Sequence, residues 1–164
     1  MGRESLHNWL KDSQQRDQFL IRFQNQTQVF WNDSPKPVMV NDGKSNHLSE
    51  SLDNVKWTPL GSYLVTFHAK GVIFYGGDDF QECGRLAHTG VQVADFSANE
   101  RYAITWNGQS GMTNRDAVCV WEVPSNQLLR KFPFTESQWP SFAFSADEKF
   151  LASKGSNGIG MYVK

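Results

Sequence analysis

Apolar residues fall along this chain in short runs that close on aromatics and are separated by Gly, Pro, Asn, Asp and Ser, a pattern that predicts successive strands and tight turns. One unit, Val55 to Gly77, recurs twice. Its segment Trp57-Thr58-Pro59-Leu60-Gly61-Ser62-Tyr63-Leu64 aligns with Phe96-Ser97-Ala98-Asn99-Glu100-Arg101-Tyr102-Ala103 and with Phe144-Ser145-Ala146-Asp147-Glu148-Lys149-Phe150-Leu151, at offsets of 39 and 48 residues. Each copy reads as an aromatic ending one strand, a polar turn, and an aromatic opening the next. A third apolar run comes after each copy: Gly71 to Tyr75, Ala117 to Trp121 and Gly158 to Tyr162. The first two copies have a fourth, Phe80 to Leu86 and Gln127 to Phe132. Four short strands at a period of roughly 40 residues predict an all-β chain of propeller blades.

In chain order, residues 1–17 form a polar linker whose Leu6, Trp9 and Leu10 would line one helical turn and anchor it to the neighbouring domain. Residues 18–54 make a partial first blade, with strands at Phe19 to Phe23, Gln28 to Trp31 and Pro37 to Val40 around a polar Gln24 to Thr27, and end in the polar loop 41–54. This blade lacks its innermost strand. Residues 55–90 and 91–134 are full blades, with inner strands at Val55 to Trp57 and Val91 to Phe96 expected to be apolar on both faces. Residues 135–164 are an incomplete blade whose inner strand is Ser141 to Phe144. The second full blade carries a lengthened solvent loop, Asn107 to Asp116. About three blades plus a partial first one do not close a ring, so the expectation is a fragment of a larger propeller.

Charge narrows the function classes. Lys and Arg number 16 against 17 Asp and Glu, so no overall field attracts nucleic acid or an anionic membrane. The two cysteines, Cys83 and Cys119, lie in predicted strands without metal-ligand spacing, and read as free thiols in a reducing compartment. No apolar run approaches the ~18 residues of a membrane span, and no signal-peptide pattern opens the chain; a cytoplasmic protein without a membrane partner is expected.

The sequence holds no nucleotide-binding, metalloprotease or serine-hydrolase motif, so neither catalytic residues nor a cofactor or metal site is expected. His68, His88 and Asp95, with Ser97 or Thr105 nearby, form the only grouping that suggests a hydrolase, and no nucleophile motif supports it. His88, Thr105 and Trp121 instead match a weakened WD-repeat pattern, in which histidine, hydroxyl and indole share hydrogen bonds across one blade. With Trp31 and Trp57 they are assigned structural roles. Turns joining first to second and third to fourth strands share one face of a propeller. That face gathers Asp33, Asp78, Asp79, Glu100, Glu122, Asp147 and Glu148 against Lys36, Arg101 and Lys149. It suggests a basic protein partner, with Asp78, Asp79, Glu100, Asp147 and Glu148 as the contact set.

Particular strings go beyond the repeat period. Trp9-Leu10, Arg16-Asp17-Gln18-Phe19, Val29-Phe30-Trp31-Asn32-Asp33, Thr66-Phe67-His68, Gly71-Val72, Gly76-Gly77, His88-Thr89-Gly90-Val91-Gln92, Asp95-Phe96-Ser97 and Trp139-Pro140 resemble the signature of the B-subunit family of eukaryotic translation initiation factor 3. Departures are the polar 41–54 loop and Phe74-Tyr75, where the family usually has Leu-Trp. The resemblance implies an early portion of a nine-bladed propeller, preceded by an RNA recognition motif. It further implies a non-enzymatic scaffold that joins the A, G and I subunits and sits on the small (40S) ribosomal subunit, against ribosomal protein and rRNA. The alternative, from the repeat period alone, is an unrelated WD-like protein-interaction propeller.

Overall fold

The computed structural model describes residues 12–14, 16–23, 26–40, 55–77, 80–109, 114–133, 142–155 and 158–163, none of them in an α-helix. Among the described residues, fourteen strands form four antiparallel meanders, each sheet following chain order. The first contains β1 (Gln18–Phe23), β2 (Gln26–Trp31) and β3 (Val38–Met39). The second contains β4 (Val55–Trp57), β5 (Leu64–His68), β6 (Gly71–Gly76) and β7 (Gln81–Leu86). The third contains β8 (Val93–Phe96), β9 (Tyr102–Trp106), β10 (Val118–Glu122) and β11 (Gln127–Phe132). The last contains β12 (Phe142–Phe144), β13 (Phe150–Gly155) and β14 (Gly158–Val163). Three strands, four, four and three make the fold a β-propeller fragment of the expected class. The expected helical turn at Leu6, Trp9 and Leu10 and the 41–54 loop lie outside the described residues.

The chain divides into two compact units, residues 1–68 with 73–85, and residues 69–72 with 86–164. In the first unit a core of Val29, Val40, Leu64, Ile73, Tyr75 and Phe80 is flanked by Leu20, Trp31 and Trp57. Trp57 meets Phe80 edge-on at 6.0 Å, and Arg16 lies 4.8 Å over the Trp31 ring while pairing with Asp12 and Asp33. Both tryptophans are half-buried. In the second unit Ile104, Ala117, Val118, Val120 and Leu151 form the core, with Trp106, Phe132, Phe142 and Phe144 against it.

Burial peaks on the second and third strands of the full sheets, and the inner strands β4 and β8 are mostly half-buried, Ala94 excepted, against the expectation of two covered faces. Central strands have a neighbour on each side as well as a packed face; an edge strand has one neighbour. Two boundaries also shift. The polar Gln24 to Thr27 is not all turn, because Gln26 and Thr27 pair with Phe23 and Arg22 and Thr27 is buried. Phe80, expected to open β7, sits at φ 49° with its N–H on the Gly77 carbonyl, turning its ring onto Tyr75 before the strand starts.

The repeated turn has one geometry in all three copies. Gly61, Glu100 and Glu148 occupy the left-handed region at φ 75°, 57° and 57°, and donate their N–H groups to the carbonyls of Thr58, Ser97 and Ser145. The hydroxyls of Thr58, Ser97 and Ser145 accept the N–H that opens the next strand, from Tyr63, Tyr102 and Phe150 at 3.0 to 3.1 Å. A side-chain oxygen thus caps each hairpin.

Candidate functional site

A connected polar cluster is buried in the third sheet. Thr105, at 0% exposure, lies mid-strand in β9, opposite Cys119 in β10, and Trp121 reaches back two positions along β10. The Trp121 indole Nε1–H donates to Thr105 Oγ1 at 2.8 Å, and that hydroxyl lies 2.7 Å from His88 Nδ1. His88 Nε2 is 2.9 Å from the Asp116 carbonyl. A carbonyl only accepts, so Nε2 carries the proton and Nδ1 accepts from Thr105. Each ring nitrogen is then satisfied by neutral imidazole. Burial pushes the His88 pKa below its ordinary value, which favours the same form. At the open end, Lys131 Nζ meets the Asp116 carboxylate at 2.8 Å, a bond that raises the lysine's pKa.

This arrangement holds three strands and the entering segment together; it does not present a base. In the other unit His68 turns its Nε2 to Thr66 Oγ1 at 2.8 Å, within its own strand. Among the described residues no three His, Cys, Asp or Glu side chains are grouped to hold a metal ion, and no helix is long and apolar enough to cross a membrane.

A pH dependence arises from this burial. The folded His88 pKa lies below the 6.5 of the free side chain, so between those values the unfolded chain binds a proton that the folded chain does not. Stability from this residue is complete above about pH 6.5 and is lost on acidification. Urea titrations between about pH 7.5 and pH 5 should show a midpoint falling more steeply in the native chain than in a His88→Gln variant. Equal slopes would remove His88 from the account.

The thiols differ as well. Cys119 is 2% exposed, and burial pushes its pKa up to about 11, whereas Cys83 is half-buried. A disulfide reagent should label one thiol in the native chain and the second only as denaturant unfolds it. Two native-state thiols reacting at one rate would contradict this.

The expected acidic face is corrected at two positions. Glu100 and Glu148 are buried, at 4% and 5% exposure, not solvent-facing. The left-handed turn residue directs its side chain inward, and Glu148 Oε1 accepts the Asn99 N–H at 2.8 Å. Asp147 is exposed, but its carboxylate accepts the Ser145 hydroxyl at 2.7 Å and the Lys149 N–H at 3.2 Å, which hold it below its ordinary pKa. Glu122 is half-buried and takes the Ser125 hydroxyl. Asp33 is held by Arg16 and the Ser34 N–H. Asp78 and Asp79 lie outside the described residues. The carboxylates that remain are largely committed to turn geometry. Sequence reasoning missed the Glu148 to Asn99 bond; its one signal was glutamate at the position where the first copy has Gly61.

The lengthened loop is partly described. Its ends are tied down, with the Trp106 indole on the Gln109 carbonyl at 3.1 Å, Asn114 on Gln109, and the Asn107 N–H on Ala117.

Against known proteins, no family model matches the chain. Its sequence is 34% identical over 162 residues to the B subunit of eukaryotic translation initiation factor 3 from Xenopus laevis, covering 96% of this chain and 23% of that protein. The Arabidopsis thaliana protein of the same name is 34% identical over 183 residues, covering 97% and 25%, and the Schizosaccharomyces pombe protein 34% over 178, covering 92% and 24%. The chain thus spans about a quarter of the length of these relatives. A crystal structure of a eukaryotic initiation factor superposes with a TM-score of 0.72 over 91% of this chain and 38% of the other, at 17% identity.

Proposed function

Since this chain is related along nearly its whole length to the B subunit of eukaryotic translation initiation factor 3, we propose that it forms propeller blades of a non-enzymatic scaffold in that complex, supporting assembly on the small ribosomal subunit. The single observation carrying this reading is one-third identity across at least nine-tenths of the chain to relatives of that one name. The shared fold adds support for the architecture alone. The buried network points the same way, because His88 and Thr105 are 5% and 0% exposed and so closed to a substrate.

On this reading the protein works in the cytoplasm, and its partners are the A, G and I subunits together with ribosomal protein and rRNA of the 40S particle. The short strands supply a rigid frame and the turns at their ends supply contact surface. The test is sedimentation of the tagged full-length protein from cell lysate. Co-migration with small ribosomal subunits, and co-purification of the other subunits, is expected. Sedimentation free of both would overturn the assignment and leave an interaction propeller with another partner.

A further inference from the structure

The second unit contains a groove of about 200 Å³ lined by Val120, Leu129, Phe132, Phe144, Phe150 and Leu151, with Arg130 and Lys149 at its edge. A cavity of about 150 Å³ suffices for one benzene ring, so this space admits a single large apolar side chain. Of its apolar lining, Leu129 and Phe150 are 41% and 38% exposed. A bulge creates the groove. In the pairing of β10 with β11, Trp121 faces Leu128 and Val120 faces Arg130, which leaves Leu129 as an extra residue. Strict alternation would send Leu129 and Arg130 to opposite faces; the bulge lets both reach the groove. It also blunts β11, the outer edge of its sheet, against pairing with an added strand.

Charge selects the occupant. The Arg130 side chain has no hydrogen-bond or ion-pair partner among the described residues, and Lys149 is only loosely held, 3.4 Å from Asp147 and 73% exposed. The one acidic lining residue, Glu148, already accepts the Asn99 N–H. We propose that this groove is a docking site for a partner protein's peptide segment that inserts one leucine or aromatic side chain beside Leu129 and Phe150 and sets an adjacent carboxylate on Arg130. Affinity comes from desolvating the apolar side chain, and the guanidinium fixes which flanking residues are accepted. The site is independent of the translation assignment.

Panning a random octapeptide display library on the whole chain tests this directly. The expected winners carry one Leu, Phe or Trp flanked by Asp or Glu. Their synthetic forms should bind at least tenfold more weakly to Leu129→Asp and to Arg130→Glu, and Arg130→Glu should regain affinity for the same peptide with its acidic residue changed to Lys. Both substituted positions are exposed, and circular dichroism melts should match the native chain. Enrichment of no peptide, of basic peptides, or of peptides that bind both variants unchanged would overturn the proposal.

Discussion

Trp121→Ala is expected to lower stability by about 3 to 5 kcal/mol, the range for removing a large aromatic from a packed core. The side chain is 4% exposed in the middle of β10, so truncation opens a void that the flanking strands β9 and β11 cannot collapse to fill. The lost hydrogen bond adds little by comparison, because Thr105 keeps His88 as its partner. Trp121→Phe separates the two contributions: it restores much of the volume without the indole N–H and should recover more than half of the loss. Urea unfolding followed by near-ultraviolet circular dichroism gives both numbers. Unchanged stability in the alanine variant would place the indole outside the core.

Gly71→Ala should be of similar size, about 2 to 5 kcal/mol, for a different reason. Gly71 opens β6 at φ 144°, and a β-carbon there would run into the Leu86 carbonyl and press on the His88 N–H. The obstacle is main chain, so no rotamer change relieves it. Gly77 is the control: its φ is 82° with nothing within 4 Å of an added β-carbon, so Gly77→Ala should show backbone strain alone, about 1 to 2 kcal/mol. Equal losses in the two variants would mean that conformation, not collision, governs Gly71.

The repeat was legible because turn chemistry is local. Thr58, Ser97 and Ser145 cap their own hairpins within five residues, so the aromatic-turn-aromatic pattern located strands β5, β9 and β13 without tertiary information. His88, Thr105 and Trp121 were legible because together they match a WD-repeat pattern, with Thr105 and Trp121 on the neighbouring strands β9 and β10 and His88 on the segment that enters the sheet. What stayed hidden depends on distant partners. A glutamate in a polar turn looks solvent-exposed until the turn that receives it is known, which is why Glu100 and Glu148 were misplaced. The bulge at Leu129 was equally invisible: the run Gln127 to Phe132 reads as a regular strand, and only its register against β10 shows the extra residue.

The bond from Asn99 to Glu148 joins residues 49 positions apart, and it sets an order on events. The β8–β9 hairpin can close as soon as it is made, yet its Asn99 N–H acquires this acceptor only when the β12–β13 hairpin has formed. A chain emerging from its amino-terminal end would therefore complete this corner one sheet late.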